Sequence, residues 1–407
     1  MRILIHDFAG HPFQVQLSRQ LAGRGHFVTH VYAAGLPGPK GRLSTVASDP
    51  VWLSIRGIQL GSQFKKYSAQ RRFITQRKYA RDLKKVIRQT KPDVVLSGNT
   101  PIDIQAELLF YCRKNRVGFI HWIQDIYCQA LKYFLDRRVP LLAGPIASMF
   151  EVLERLVASK SDHTVVIAPE FRDLLRRWNV PKSRISVIEN WAAIEEIPPR
   201  PRENNWSRSQ ELGALPVMLY SGTLGMKHRP ELLYKLAEQL QQECTVVVIT
   251  DGIGRDYLHR MPPLQNLRIF HFQAYEKLPE VLASADVLLA TLEADAGKFA
   301  VPSKILTYLC AGRPILLAGP QENLSASIIK RSEGGLVVDP NNLAAWVGAA
   351  RNLIHDVNLR AHYGNKARSY AEKTFNPVRI TDTFEHLFIS AYNSQGSESP
   401  EVSPISA

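Results

Sequence analysis

This sequence predicts an α/β fold made of two doubly wound, parallel-sheet domains, and three observations carry the prediction. Short apolar runs alternate with helix-length amphipathic stretches through the first half. The same rhythm restarts in the second half, and a proline-rich charged stretch lies between the two. Strict β/α alternation calls for parallel strands joined by crossover helices on both sheet faces. Two such sheets make two Rossmann-like domains facing across a cleft, with ligands expected at the carboxyl ends of the strands. A chain of 407 residues suffices for two cores, and 45% hydrophobic with 22% charged residues excludes a disordered or fibrous class.

In the first half, apolar runs at 2–6, 27–33, 93–97, 117–123 and 163–167 read as strands, and 13–24, 68–90, 101–115 and 149–159 as helices. In the second, Val217–Tyr220, Thr245–Ile249, Leu267–Phe270, Val287–Ala290, Ile315–Leu317 and Gly335–Val338 read as strands. Helices are expected at 230–242, 277–284, 303–311, 323–331, 343–355 and 359–373. Pro198, Pro199 and Pro201, set among charges, mark a linker over 191–212 between a first domain (1–190) and a second (213–376). A last helix at 377–393 is followed by a Ser/Pro/Glu-rich run, 394–407, expected to be disordered.

Cys112, Cys128, Cys244 and Cys310 are scattered with no C-x-x-C pair, which argues for a reducing compartment and against a zinc site or disulfide framework. Met1 leads straight into a strand, so no secretory leader is expected. The longest uncharged apolar stretch, Val139–Phe150, has 12 residues against the ~20 a spanning helix needs. A cytoplasmic location is expected, peripheral on the inner face of the membrane. That peripheral reading comes from charge. The net charge is +14, and between Lys65 and Lys91 eleven Lys/Arg stand against one Asp. On a helix, Phe73, Ala80, Leu83 and Ile87 share an apolar face while Lys78, Arg81, Lys85 and Arg88 share the other. Such a face is either simply solvated or docks on anionic lipid headgroups, at ~1 kcal/mol per cation. Nucleic acid ranks last, because no binding signature accompanies the charge.

The segment Val301–Pro314 is the most specific in the chain. Pro302 and Ser303 open a helix after the strand ending at Ala290, Gly312 stops it, and Pro314 blocks its continuation. Ser303 and Lys304 at the helix start bring a hydroxyl, an ammonium and backbone N–H groups toward one point, which suits a phosphate or pyrophosphate. An ordinary capped βα unit is the bland alternative.

This PSK-x-x-x-Y-L-x-A-G-R-P segment resembles the nucleotide-sugar segment of retaining glycosyltransferases with the GT-B fold, the family-four, group 1 enzymes. Three further regions are similar in the same order: Met1–Ile5 with the Ala9–Phe13 loop and the Arg24–Val28 return, Tyr220–His228, and Thr250–Gly254. The likeness extends to about residue 390 and looks closest to exopolysaccharide and O-antigen (colanic-acid-type) biosynthesis transferases. It implies a nucleotide-sugar donor bound by the second domain and a lipid-linked glycan acceptor bound by the first. No cofactor and no metal are expected.

The resemblance assigns roles residue by residue. Gly222, Thr223 and Gly225 form a loop that approaches a diphosphate, and Lys227 neutralises its leaving charge. Gly252 and Gly254 make a ligand-facing turn. Pro302, Ser303 and Lys304 make the second phosphate-facing element, and Thr307 faces the ribose. Many members carry two glutamates eight positions apart here; this chain has Phe299 and Thr307 instead. Glu293 and Asp295 are either loop solvation or a substitute contact to the sugar. Gln273 and Ala274 are placed to meet the base. In the first domain, His121 and Asp125 are the catalytic candidates at a strand end, with Gly10, His11 and Asn99 lining the acceptor side. A lone His beside Trp122 is as readily a packed core residue. A sugar-nucleotide epimerase of the same architecture and a binding protein that has lost catalysis are the competing functions. The first would turn over donor without acceptor, and the second would bind without turnover.

Overall fold

The computed structural model describes residues 1–36, 40–60, 69–136, 139–225, 228–295 and 303–397. The chain divides into two compact units: Met1–Glu189 with the segment from Pro377, and Asn190–Asn376.

The first unit contains β1 (Arg2–Asp7), α1 (Pro12–Gly23), β2 (Phe27–Ala34), β3 (Leu53–Gln59), α2 (Ala69–Thr90), β4 (Val94–Gly98), α3 (Ile102–Lys114) and β5 (Gly118–Ile123). It continues with α4 (Tyr127–Asp136), α5 (Pro140–Lys160), β6 (His163–Val166), α6 (Phe171–Arg177) and β7 (Ile185–Val187). Its seven strands are all parallel, in the order β3-β2-β1-β4-β5-β6-β7. Leu4, Val31, Val95 and Phe119 point from four strands into a core shared with Leu83 and Ile87 of α2, Leu108 and Leu109 of α3, and Val157 of α5. The central strands β4 and β5 are buried along their whole length, so apart from Ser97 and His121 they read in sequence as apolar runs.

The second unit begins with α7 (Asn205–Ser209), β8 (Val217–Ser221), α8 (Pro230–Gln239), β9 (Thr245–Ile249), α9 (Ile253–Arg260), β10 (Leu267–Phe270), α10 (Leu278–Ala283) and β11 (Val287–Thr291). α11 (Lys304–Ala311), β12 (Ile315–Ala318), α12 (Leu324–Ser332), β13 (Gly335–Val338), α13 (Leu343–His355) and α14 (Val357–Thr374) complete it. Its sheet is again parallel, in the order β10-β9-β8-β11-β12-β13. Tyr220, Val246 and Leu289 meet Leu233, Leu236 and Leu353, and the buried Trp346 donates its indole N–H to the Leu232 carbonyl at 3.2 Å.

The structure departs from the sequence expectations at several elements. β3 and β7 are additional strands at the sheet edges, one half-exposed and the other three residues long, so neither carries a clear pattern. α4, α6 and α9 are additional helices, and α5 begins at Pro140 rather than at 149. The expected linker 191–212 is packed into the second unit: Arg202 pairs with Asp286 at 2.8 Å, and the buried Asn204 caps α7 while donating to the Glu280 carbonyl at 3.0 Å. The last helix, α15 (Pro377–Ser397), runs past residue 394, where disorder was expected to begin. Positions beyond 397 lie outside the described residues.

α15 completes the first unit by packing on α1 and β5. Phe384 stacks on Trp122 with ring centroids 4.9 Å apart, and both are buried. At the rim, Glu385 receives Arg24 and His26, each at 2.6 Å, and Arg24 also reaches Asp382 at 2.7 Å. Half-exposed pairs of this kind add little, so apolar burial dominates the attachment. Phe384→Ala is expected to destabilise the first unit by about 3–5 kcal/mol. Urea unfolding followed by probes in each unit checks it, with the second unit's midpoint unchanged.

Candidate functional sites at the strand carboxyl ends

In the first unit, β1 ends at Asp7, a fully buried carboxylate. It accepts the N–H groups of Ala9 (3.1 Å) and His11, and the Asn99 amide lies 3.5 Å away. Burial raises its pKa, while His11 and the N–H groups of this loop pull it back. The loop turns at Gly10, whose φ of +78° is costly for other residues. Gly10, His11 and Asn99 are thus gathered around one carboxylate. Asp7 itself was not singled out from sequence, although an acid closing an apolar strand before a glycine loop was a readable signal.

The next residues back form a buried polar layer. His6 is hydrogen-bonded to the Ser97 hydroxyl (2.8 Å) and the Tyr79 hydroxyl (2.9 Å), and Gln105 donates to the Ser97 carbonyl. His121 lies level with Ser97 on the neighbouring strand. It is buried, its Nδ1 has no partner among the described residues, and desolvation pulls its pKa down to about 3. At neutral pH it is therefore an uncharged imidazole and a weak proton acceptor. Asp125 is exposed in the loop after β5.

In the second unit, the loop after β8 is held from three sides. Tyr220 donates its hydroxyl to the Thr223 carbonyl at 2.8 Å, and the Gly222 N–H bonds the Ile249 carbonyl of β9 at 3.0 Å. The Tyr308 hydroxyl, one turn into α11, accepts the Ser221 N–H at 2.9 Å and donates to the Ser221 carbonyl at 3.1 Å. At Gly254, in the first turn of α9, a Cβ would fall 2.4 Å from the Leu224 carbonyl oxygen, so only glycine lets the two segments meet. Gly252 caps α9 with φ +82°.

Lys304 opens α11, and its ammonium lies 3.5 Å from the Tyr220 ring centroid and 3.5 Å from the Thr223 carbonyl. A Cβ on Gly222, which has φ +131°, would come within 3.1 Å of Lys304 Cε. Gly222 is therefore the gap through which the lysine reaches the loop. Desolvation pushes the ammonium well below the usual lysine range, while the electron-rich ring face favours its charged form. Ser303 is exposed and makes no capping bond, and Thr307 is half-buried one turn on. Glu293 is half-buried and Asp295 exposed after β11. The Gln273 side chain is occupied in accepting the Trp206 indole N–H at 3.1 Å. Lys227, Pro302 and Phe299 lie outside the described residues. Sequence reasoning missed Tyr220 and Tyr308, whose roles depend on two segments far apart in the chain. No group of three or more His, Cys, Asp or Glu side chains that could share a metal ion occurs among the described residues.

Residues 14–196 match the Glycosyltransferase Family 4 model and residues 202–370 the Glycosyl transferases group 1 model. An Escherichia coli (strain K12) protein provisionally named as the colanic acid biosynthesis glycosyl transferase WcaI is 23% identical over 59% of this chain and 60% of its own length. A Pseudomonas aeruginosa protein provisionally named as the glycosyltransferase WbjE is 27% identical over 63% and 65%. The chain thus spans less than two thirds of these curated relatives. Among solved structures, Anabaena HepE in complex with UDP and glucose superposes with a TM-score of 0.69 at 13% identity, covering 96% of this chain and all of that one. Sucrose-phosphate synthase from Thermosynechococcus elongatus gives 0.68 at 15% identity, covering 97% of this chain and all of that one. At these identities the structural likeness establishes the GT-B architecture of the chain.

The buried imidazoles generate a prediction. His6, His30 and His121 each have a pKa lowered to about 3, chiefly by desolvation, against about 6.5 in an unfolded chain. Their contribution is complete above pH 6.5 and is lost as pH falls toward 3, because unfolding takes up protons. Between about pH 6 and 5 each such histidine costs ~1.4 kcal/mol per pH unit. His121→Gln should remove one proton from that slope in pH-dependent urea titrations.

Proposed function

We propose, for a chain of GT-B architecture whose two halves match glycosyltransferase family models, that it transfers a sugar from a nucleoside-diphosphate sugar to a polyprenyl-diphosphate-linked glycan in surface polysaccharide synthesis. The observation that carries this reading is the Lys304 ammonium, held over the glycine loop at the end of β8. A departing nucleoside diphosphate gains negative charge in the transition state. A cation fixed in a poorly solvated position beforehand stabilises that charge without reorganising.

The proposed step is retaining. The bond between the anomeric carbon and the diphosphate oxygen breaks, and the acceptor hydroxyl oxygen attacks from the same face. Its proton passes to the departing phosphate oxygen, so no protein nucleophile and no metal enter the step. Lys304, with Lys227 beyond the described loop, faces the diphosphate. Gly222, Thr223 and Gly225 supply backbone approach, Gly252 and Gly254 set the adjoining turn, and Ser303 and Thr307 face the phosphate and ribose ends. In the first unit the Gly10–His11 loop, Asn99 and Asp125 line the acceptor side. His121 acts there as a neutral hydrogen-bonding group. The exposed Lys78, Arg81, Lys85 and Arg88 of α2 face an anionic membrane surface where a lipid-linked acceptor resides.

Calorimetry against UDP, GDP, dTDP, ADP and CMP, with and without magnesium, tests the donor site. One diphosphate should bind selectively and independently of the metal. Lys304→Ala should lower kcat/KM by on the order of 10²–10³-fold with the fold retained. Gly222→Ala should weaken diphosphate binding by crowding the lysine. Because burial depresses the pKa of the free ammonium and a bound diphosphate would restore it, affinity should fall as pH rises through the depressed value. Binding without turnover would favour the non-catalytic reading, for which Thr307 in place of an acid is the specific observation. No diphosphate binding at all would remove the proposal.

A further inference from the structure

α2, α3 and α5 lie side by side on one face of the first unit's sheet. Their outer surfaces differ sharply. α2 presents Lys78, Arg81, Lys85 and Arg88 to solvent. The first three turns of α5 present the reverse: Leu141 is 93% exposed, Leu142 57%, Met149 62% and Val152 63%. With Pro145 and Ser148 these residues form one stripe, and no charged residue interrupts it before Glu151. Ile74 on α2 and Phe110 on α3 are also more than half exposed. The inner face of α5, with Ala143, Ala147 and Val157, is buried normally. The helix is therefore amphipathic in the usual sense only from Glu151 onward, and its first turns are apolar on both sides.

Singly exposed leucines need no explanation, but a stripe roughly 18 Å long, one helix removed from the cationic α2, does. We infer that the first three turns of α5 insert into the interfacial region of an anionic bilayer, with α2 holding the headgroups alongside. This rests on the membrane contact proposed above and adds a second, apolar component to it. Complementarity selects the occupant: cations meet lipid phosphates, while the leucines of a helix too short and too mixed to span lie about 5–10 Å deep. Charge attraction alone fades in salt, whereas an inserted apolar stripe keeps the protein on the surface.

The four native cysteines are buried, so Leu141→Cys can be labelled selectively with an environment-sensitive dye on the full chain. With pure-lipid anionic vesicles, the dye emission should shift to the blue and be quenched by nitroxides placed high on the acyl chains. A second variant, Leu141→Glu with Leu142→Glu, should lose the binding that persists at about 1 M salt, where the screening length is about 3 Å. Its circular dichroism and nucleoside-diphosphate affinity should match the parent. Vesicle binding with the dye still in water, or with the glutamate variant bound as tightly as the parent, would overturn insertion and leave the electrostatic contact standing. Absence of vesicle binding by the parent would overturn both. Self-association removed by the glutamates would assign the stripe to a second copy and equally overturn the inference.

Discussion

A parallel strand cannot turn directly into its neighbour; the chain must cross the sheet and return at the other end. That constraint organises both units. It sends every connection at the carboxyl edge into a helix or a long loop, so Asp7, Asn99 and Asp125 emerge along one edge, and Gly222, Asp251 and Glu293 along another. Interior strand positions are filled by Val, Leu and Ile. Polar groups collect near the strand ends, where His6 and Ser97 are buried one residue short of the loops and His121 two.

The two edges use that constraint differently. In the second unit a tyrosine hydroxyl on α11 closes both hydrogen bonds of Ser221, which fixes the distance between the β8 loop and the start of the helix. Lys304 then has a ring beneath it and a glycine beside it, and few positions to occupy. In the first unit a carboxylate holds a loop by its N–H groups, and the imidazoles behind it stay neutral because burial outweighs every partner they have. Burial disfavours charge at both edges, and at the second the Tyr220 ring face and the Thr223 carbonyl work against it.

The strand–helix rhythm was legible because strands buried on both faces write continuous apolar runs, as Val94–Leu96 and Val246–Ile249 do. The edge strands β3 and β7 were not, since one exposed face or three residues leaves almost no pattern. Lys304 and Gly222 could be picked out by their motifs. Tyr220 beneath the lysine, and Tyr308 across from Ser221, act through contacts between segments some 80 residues apart, which no local spacing encodes. Likewise Val139–Phe150 reads in sequence only as too short to span a membrane. That half of it faces solvent depends on how α5 rotates onto the sheet. The packing of the proline-rich stretch was not legible, because Arg202 pairs with Asp286 and Asn204 donates to the Glu280 carbonyl, partners that composition cannot announce.

The return of α15 to the first unit also orders events in time. On a ribosome, the sheet of the first unit emerges early, but the helix that covers Trp122 is not made until all of Asn190–Asn376 has been translated. At about 5–20 residues per second the uncovered apolar face waits roughly ten to forty seconds for its lid. The second unit, whose elements are contiguous, can finish folding while the first is still incomplete. The nascent chain is thus expected to occupy a chaperone at its amino-terminal half longest, although that half is synthesised first.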